Sequence, residues 1–495
     1  MRRRLHIHEW TYAMNRFFNT ARQVATSPRV WLVGAMSAAM VLGACRPSDV
    51  LKVKDIDVAR PGSIQDSSAL PAVLDGAIGD FGNAYNGGGD FNQVTLAGEL
   101  GDELINTETF PTRIEVDERR QNYQNNGSLS GVFYATSQAR QSADRAAALY
   151  LKFNPKDAGL AESLNLSALI YTLFAENYCA SVPISNQDAS GSITYGSSLT
   201  TQQLLQVAGQ KADSALAIAT NSAVTGGATY AAAMANLARM VKARELLDQN
   251  QPAAAATAVA AVPTTFQYRY THSATSGRQN NGSWATTVSV GRFGVANREG
   301  GNGIAFITQG DTAGSIKDPR VVNGRRSTNR GNGFDGGTPQ WVQLKYPARE
   351  TPVIVADGVE ARLIEAEAQL AAGNYAGALT ILNALRSNAA LLTLRGYPAN
   401  SLPALPDVSA NGLTAEQDQL FSERAFWLYL TSHRLGDLRR LIKYYSRGAE
   451  TVFPTGAYVK SGVTSTYGTD VNSPIPQAED NNPNFSRSAC TTTAP

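Results

Sequence analysis

Residues 359–386 read VEARLIEAEAQLAAGNYAGALTILNALR. Apolar side chains recur every three or four residues on both sides of Gly373-Asn374, a spacing that places them on one face of a helix. A glycine directly after such a run is typical of a helix C-terminus. The pattern predicts helices over 357–371 and 375–386. A helix, a tight turn and a returning helix form the unit of a tetratricopeptide-like array, which buries its apolar faces by stacking on neighbouring units.

The same periodicity predicts further helices in both halves of the chain. They cover 159–178, 200–219, 229–247 and 252–261 before the quoted pair, and 414–430 and 433–445 after it. The expected fold class is therefore mainly α, built from tetratricopeptide-like (TPR-like) helical repeats. The repeat signature is degenerate, so a nonrepetitive helical bundle stays open as the alternative.

Two stretches between the helices have a different composition. Residues 83–125 and 263–350 are rich in Gly and Asn, with aromatic side chains dispersed among them. Loops this long inside a compact chain are usually functional or mobile. We expect 263–350 to form a loop-rich, irregular lobe with few short strands, inserted as a ligand-binding region between helical regions at 67–262 and 351–495.

The N-terminus has the pattern of an export signal. Six arginines precede an apolar, uncharged run of 15 residues from Val30 to Ala44, which is shorter than the roughly 20 residues of a membrane-spanning helix. The run ends in LGAC at 42–45, which resembles the lipobox of bacterial lipoproteins. We therefore expect residues 1–44 to be removed, Cys45 to be acylated, and residues 45–66 to act as a tether.

The charge balance of the chain narrows the classes of partner that it is expected to bind. The chain has 43 Lys and Arg against 41 Asp and Glu. The signal carries six Arg and one Glu, so its removal leaves 37 basic against 40 acidic residues, a net charge of about −3, whether translation begins at Met1 or at Met14. Nothing in the sequence forms the basic patch typical of nucleic-acid binding, and we expect no nucleic-acid partner.

Cysteine usage excludes a disulfide framework. Past the lipobox the chain contains Cys179 and Cys490. These two allow one bridge, but Cys179 lies in an apolar helical pattern that favours a buried free thiol.

Common catalytic motifs are absent from the sequence. His272 and His433 are the histidines left after the signal, and neither H-E-x-x-H nor G-x-S-x-G occurs. The GNGFDG at 331–336 matches a dinucleotide-binding pattern but lacks the flanking strand and helix that a phosphate site needs. We expect no catalytic residue, metal or cofactor. A glycosidase built on two carboxylates stays open, because the fold rather than a motif sets their spacing.

Aromatic and polar side chains in the loops are candidate ligand contacts. Aromatic faces stack on sugar rings or on peptide side chains, while Asn, Gln and Arg bind the surrounding hydroxyls or carbonyls. Packing in the core is the alternative for each aromatic residue. The densest cluster comprises Tyr270, Arg278, Asn280, Asn281 and Trp284, and the next comprises Tyr85, Phe91 and Asn92.

Four ordered motifs resemble the SusD/RagB family of outer-membrane nutrient-binding lipoproteins. The family's E-R-x-x-E-L-x-x-E-G-x-R-x-x-D-L-R-R run corresponds to 423–440, where Trp427, Thr431 and Ser432 replace Glu, Glu and Gly. The other three resemblances are PIPQAEDNNPN at 474–484, the helix pair at 359–386, and an early helix with its turn at 168–185. The matching positions that we expect to be structural are Glu423, Arg424, Arg434, Asp437, Arg439, Arg440, Pro474 and Pro476, because an Asp one helical turn from an Arg can pair with it.

The resemblance implies a SusD-like scaffold and a role in nutrient uptake. Members of the family sit on the extracellular mouth of a SusC-like TonB-dependent transporter and bind oligosaccharides or, in the RagB branch, peptides. For this chain we expect a non-enzymatic, lipid-anchored protein of the outer membrane that faces the extracellular side, with a SusC-like partner and glycan favoured over peptide. A secreted, lipid-anchored glycosidase and a helical-repeat scaffold for envelope proteins stay open as alternatives.

Overall fold

The computed structural model describes residues 66–89, 91–188, 192–299, 303–307 and 318–495. The chain divides near residue 64 into two units, and every element named below belongs to the second. The signal sequence, Cys45 and the tether up to residue 65 lie outside the described residues, so the lipobox remains a prediction.

Helices make up most of the described structure. A π-helical segment at Trp284–Ser289 accompanies the α-helices. In chain order, the α-helices are α1 (Leu70–Asn86), α2 (Gln93–Leu100), α3 (Pro111–Asp117), α4 (Gly127–Phe153), α5 (Ala158–Asn177), α6 (Thr201–Ala219), α7 (Ala228–Asp248), α8 (Pro252–Val259), α9 (Gly358–Ala371), α10 (Tyr375–Ser387), α11 (Ala389–Leu394), α12 (Leu413–Trp427), α13 (Arg434–Tyr444) and α14 (Ala449–Val452).

Each helix from α4 to α10 packs against the next one along the chain. Together with α12 and α13, these helices include all those predicted from periodicity, with ends that agree to within three residues. The mainly α, TPR-like architecture is therefore confirmed. Helix α5 is long and apolar enough to cross a membrane, but 94 % of its most apolar window is buried within the protein, as is typical of a core helix.

Local chemistry explains several helix ends. Thr200 and Gln203 form a capping box at the start of α6, which satisfies backbone N–H groups that have no partner inside the helix. After α9, Gly373 adopts a φ of 74°, a left-handed conformation that glycine accepts without strain. The turn between α9 and α10 thus forms where the sequence predicts it.

The strands are short and pair in twos. Among the described residues, five two-stranded antiparallel sheets join β1 (Leu104–Asn106) to β7 (Phe293–Val295), β2 (Val182–Pro183) to β5 (Ser198–Leu199), β3 (Asn186–Gln187) to β4 (Ile193–Thr194), β6 (Gln267–Tyr270) to β10 (Val353–Asp357), and β8 (Asn323–Arg325) to β9 (Trp341–Gln343). Several of these pairs join segments that are distant in sequence. β1 is thereby held against β7, and β6 against the strand that leads into α9.

A buried network of charges joins α12 and α13 to the rest of the core. The Asp437 carboxylate accepts hydrogen bonds from Arg424 (2.8 Å for both nitrogens) and from Arg440 (2.7 Å). Arg434 binds Asp102 with two hydrogen bonds of 2.6 and 2.7 Å. Burial alone would raise the pKa of Asp437, but the arginines outweigh it and hold the pKa at about 2. The Asp–Arg pairing expected from helical spacing is present.

The other motif positions also have structural contacts. The Glu423 carboxylate accepts hydrogen bonds from Arg320 (2.7 Å) and Arg386 (2.6 Å). Arg439 donates to backbone carbonyls at the end of α5, and Pro474 and Pro476 are buried. Ser432, at the position where the family has glycine, adopts a φ of 60°. The left-handed backbone at that position explains why glycine suits it.

The expectation for the cysteines is wrong. Cys179 and Cys490 form a disulfide that closes a sequence separation of 311 residues. Helix α5 ends two residues before Cys179, where the Ser473 N–H donates to the Asn177 carbonyl at 2.8 Å and the Cys179 N–H donates to the Ser473 carbonyl at 2.9 Å. The bridge ties the C-terminal tail to the end of a core helix.

Candidate functional site

The two loop-rich stretches are joined to each other in the structure. Gly87 and Asn281 form an isolated antiparallel bridge. The Asn86 side-chain oxygen accepts hydrogen bonds from the backbone N–H (3.0 Å) and the hydroxyl (3.1 Å) of Ser283. The pairing of β1 with β7 adds a second junction.

Tyr85, Phe91 and Asn92 lie in the core, so their prediction as ligand contacts is corrected. Tyr85 is 2 % exposed, and its hydroxyl donates to the carbonyl of Thr431 at 2.7 Å. Phe91 is buried as well. Asn92 is the N-cap of α2, where its side chain accepts a hydrogen bond from the N–H of Thr95 (3.0 Å). Core packing accounts for Tyr85 and Phe91, and helix capping accounts for Asn92.

Asn281 and Tyr270 also have structural contacts. Asn281 is fully buried; its amide nitrogen donates to the Thr351 carbonyl and its oxygen accepts from the backbone N–H of Trp284, both at 2.9 Å. The half-buried ring of Tyr270 lies so close to Gly82 that a Cβ there would be 1.8 Å from the ring. Asn281 is therefore corrected to a structural residue, and Tyr270 offers only part of its ring to solvent.

Arg278, Asn280 and Trp284 remain accessible from solvent. Trp284 is half-buried, with the guanidinium carbon of Arg349 5.1 Å from its ring centroid. Arg278 is exposed and forms an ion pair with Asp80 at 2.6 Å. Asn280 is half-buried. For these three, ligand contact stays a prediction.

The most prominent exposed aromatic pair lies elsewhere in the same two stretches. Phe110 and Phe334 are 45 % and 49 % exposed. The guanidinium carbon of Arg292 lies 4.9 Å from the centroid of each ring, so a cation sits between two exposed phenyl groups. We call Phe110, Arg292 and Phe334 the aromatic platform.

A buried carboxylate fixes the arginine of the platform. Glu108 accepts a hydrogen bond from Arg292 at 2.5 Å and forms an ion pair with Arg113 at 3.1 Å. Arg113 in turn lies 4.8 Å from the centroid of Phe110. Burial raises the pKa of Glu108, although the two arginines counteract part of that shift. The platform is thus preorganised, because its arginine has a partner before any ligand arrives.

Backbone hydrogen bonds fix the position of Phe334. Its N–H donates to the carbonyl of Gly291 at 2.8 Å, and the N–H of Asp335 donates to the carbonyl of Thr107 at 2.9 Å. The Asp335 carboxylate also pairs with Lys460 at 2.9 Å. The loop that carries Phe334 is therefore fixed to the backbone at Gly291, beside Arg292, and at Thr107, near Phe110.

Phe110 and Phe334 belong to the aromatic residues dispersed through 83–125 and 263–350, but neither is among the ligand contacts predicted from the sequence. The sequence around each residue does distinguish it from a core residue, because Phe110 lies in TETFPTR and Phe334 lies in GNGFDGG, both largely polar or glycine-rich. Phe334 has no apolar neighbour at helix or strand spacing, and Phe110 has only Ile114, so neither ring belongs to an apolar stripe that faces the core. Isolated aromatic residues of this kind are better candidates for ligand contact than aromatic residues within an apolar stripe.

Two buried carboxyl groups, Glu99 and Asp117, are linked to the platform through Asn106, and Glu299 is a third buried carboxyl group in the same core. The Asn106 amide donates to Glu99 at 3.0 Å, and its backbone N–H donates to Asp117 at 2.8 Å. Its side-chain oxygen accepts from the N–H of Glu108 at 3.0 Å. Burial raises the pKa of Asp117 to about 7 and those of Glu99 and Glu299 well above the usual range, and mutual repulsion raises the latter two further.

Solved structures resemble this chain over most of its length. A SusD/RagB family protein from Bacteroides thetaiotaomicron has a TM-score of 0.55 at 13 % identity, over 77 % of this chain and 89 % of that one. A SusD-like protein from Bacteroides fragilis has a TM-score of 0.56 at 12 % identity, over 85 % and 98 %. The chain has a SusD-like fold. A SusD-like carbohydrate binding protein from Bacteroides vulgatus has a TM-score of 0.53 at 12 % identity, over 86 % and 93 %.

At these identities, the likeness establishes the SusD-like fold and nothing finer. No protein-family model and no curated protein matches the sequence. The resemblance inferred from the motifs at 168–185, 359–386, 423–440 and 474–484 is confirmed at the level of fold.

The aromatic platform has groups that are suited to ligand binding. The aromatic platform presents two phenyl faces and a guanidinium, which suit a flat ligand face edged by hydrogen-bond acceptors. In the part of the chain that the structure describes, no group of His, Cys, Asp or Glu is arranged to hold a metal ion.

The buried carboxyls predict that stability falls as pH rises. Asp117 has a raised pKa in the folded state, so between about pH 4 and pH 7 the folded chain holds a proton that the unfolded chain has released. We expect Asp117→Asn, which is neutral at every pH, to gain about 1–3 kcal/mol in free energy of unfolding relative to the wild type between pH 5 and pH 8.

Urea unfolding at pH 5, 6, 7 and 8 measures this difference. The matched control is Asp213→Asn at an exposed ion pair, for which we expect no pH-dependent gain. An Asp117→Asn protein with no such gain between pH 5 and pH 8 would show that Asp117 is ionised in the fold.

Proposed function

We propose that the mature chain is a lipid-anchored protein of the outer-membrane surface that binds oligosaccharides and delivers them to a SusC-like TonB-dependent transporter. The aromatic platform is the observation that supports the proposed ligand binding, because two half-exposed phenyl rings are held around one fixed guanidinium. Apolar faces of this size left open to solvent are typical of ligand contacts.

A glycan suits the platform better than a peptide does. Sugar rings have flat C–H faces that stack on phenyl rings, and their edges carry hydroxyl and acidic oxygens that a guanidinium can bind. The solved carbohydrate binding protein from Bacteroides vulgatus, which has a similar fold, is consistent with this choice. A peptide ligand is the alternative outcome of the test below.

Anchoring and delivery are supported by the sequence and by the fold. The lipobox ends at Cys45, and the residue after it is Arg46 rather than the Asp that commonly retains lipoproteins in the inner membrane. A lipid anchor would hold the platform beside a transporter and so raise the local concentration of captured ligand there.

Calorimetric titration of the purified protein with a panel of oligosaccharides and peptides tests the binding function. We expect saturable binding of at least one glycan, with the ligand recovered intact by chromatography. Release of shorter sugars, abolished by a single Asp or Glu substitution, would overturn the proposal in favour of a glycosidase. Peptide binding without glycan binding would overturn the choice of ligand class.

Replacing Cys45 with alanine tests delivery. We expect uptake of the bound glycan by cells to fall several-fold, because the protein is no longer held at the membrane, while the purified variant keeps its affinity. Mild-detergent extraction of the wild type should also recover a SusC-like barrel. Unchanged uptake, or an equal loss of uptake and affinity, would contradict the proposed role of the anchor.

A further inference from the structure

A cluster of arginines adjoins the aromatic platform. The sequence from 324 to 334 reads GRRSTNRGNGF and carries Arg325, Arg326 and Arg330. The Arg326 guanidinium lies against Gly291, where a Cβ would be 2.3 Å from its nitrogen. Gly291 precedes Arg292, and its carbonyl accepts the hydrogen bond from the N–H of Phe334. Arg326 therefore lies against the backbone that carries the platform, and Arg325 lies against Gly331, three residues before Phe334.

These arginines have no carboxylate partner among the described residues. Arg326 donates to the side-chain oxygen of Gln340 at 3.0 Å and to two backbone carbonyls at 3.5 Å, all uncharged acceptors. Arg325 and Arg330 are exposed, and neither forms an ion pair with a described residue. Within the described part of the chain, the positive charge of these three arginines is thus uncompensated.

The charge balance around the platform is opposite to that of the whole mature chain. The segments 106–113, 291–292 and 323–338, together with Lys460, contain six cationic side chains and two carboxylates, Glu108 and Asp335. Both carboxylates are already in ion pairs. These segments therefore carry an excess of four positive charges, on a chain whose net charge after removal of residues 1–44 is about −3.

Building on the proposed function, we infer that the ligand is an anionic oligosaccharide whose sugar ring stacks on the aromatic platform and whose carboxylate or sulfate groups bind Arg325, Arg326 and Arg330. Guanidinium groups bind such oxyanions with paired, charge-assisted hydrogen bonds. A locally positive surface also raises the rate at which an anionic ligand is captured. A neutral glycan would use the phenyl rings and leave the arginines without a counter-charge.

Calorimetric titration of the full chain with matched pairs of ligands tests this inference. One pair is an oligogalacturonate and its methyl ester, and the other is a sulfated galactan oligosaccharide and its desulfated form. We expect at least one acidic member to bind ten-fold or more tightly than its neutral counterpart, and this preference to shrink between 50 and 500 mM salt because salt screens exposed charges. The pair that shows the preference identifies carboxylate or sulfate as the recognised group.

Three variants distinguish recognition by these arginines from a loss of folding and from unspecific electrostatic attraction. Arg325→Gln/Arg326→Gln/Arg330→Gln should reduce the acidic ligand to the affinity of its neutral counterpart. Arg325→Gln/Arg330→Gln alters exposed side chains alone and should lose most of the preference even if the triple variant folds poorly. Lys152→Gln/Lys156→Gln/Arg269→Gln removes the same charge at exposed positions outside these segments and should keep the preference.

The outcomes distinguish a failure of the anionic-ligand inference from a failure of the proposed glycan-binding function. Equal affinity for acidic and neutral glycans, or a preference that survives in both arginine variants, overturns the anionic ligand but leaves glycan binding intact. Binding of an oligodeoxythymidylate of equal charge with the same affinity also overturns it, because the attraction would then be unspecific. Absence of binding to any glycan contradicts the proposed function itself.

Discussion

Replacing Phe110 and Phe334 together with alanine is expected to weaken glycan binding by about a hundred-fold or more. Each phenyl face removed from water by a sugar contributes on the order of 1.5 kcal/mol, and a hundred-fold change corresponds to about 2.7 kcal/mol. The fold should survive, because both rings are half exposed and their stacking on Arg292 contributes only about 1 kcal/mol each.

Calorimetric titration with the tightest glycan of the panel, alongside circular dichroism, measures this effect. Tyr134→Ala/Tyr195→Ala is the matched control, because these rings are 42 % and 45 % exposed and lie outside the platform. We expect that control to bind like the wild type. If the control loses affinity and the platform variant does not, the glycan binds at a different aromatic surface.

Asp437→Ala is expected to lower the free energy of unfolding by roughly 3–5 kcal/mol. The carboxylate is buried and accepts hydrogen bonds from Arg424 and Arg440. Without it, Arg424 keeps its longer contact with Glu367 and Arg440 keeps its pairs with Glu367 and Asp248, but one buried negative charge is missing. A buried cation that loses its partner carries the full desolvation penalty.

Urea unfolding followed by circular dichroism gives the size of that loss. Asp418→Ala is the matched control: Asp418 also pairs with an arginine, Arg447 at 2.6 Å, but its side chain is largely exposed. A surface pair of this kind contributes about 1 kcal/mol or less. Similar losses for the two variants would show that the network around Asp437 has no special part in holding α12 and α13.

Helices were the most predictable part of this fold. Periodic apolar residues and a glycine in the turn predicted α9 and α10 to within a residue, because both signals depend on neighbours in sequence. The pairing of Asp437 with Arg440 followed from the same helical spacing. The contacts of Asp437 with Arg424 and of Arg434 with Asp102 required the packed structure, since the first joins two helices and the second joins α13 to the turn after α2.

Long-range contacts explain what sequence reasoning missed. The partner of Cys179 lies 311 residues away, and the local apolar pattern around Cys179 carries no information about a residue so distant in sequence. Tyr85 and Phe110 are both loop-region aromatics by composition, yet one is buried against Thr431 and the other is exposed beside Arg292. The acidic balance of the mature chain likewise concealed the local excess of arginine, because net charge carries no information about position.

The most direct measurement is a crystal structure of the protein bound to its tightest oligosaccharide. We expect a sugar ring to lie on the aromatic platform, with carbon atoms within about 4 Å of the Phe110 or Phe334 ring and an acidic group of the sugar beside Arg325, Arg326 or Arg330. A sugar bound only at Trp284, or anywhere that leaves both phenyl rings in solvent, would contradict the assignment of the platform as the ligand site.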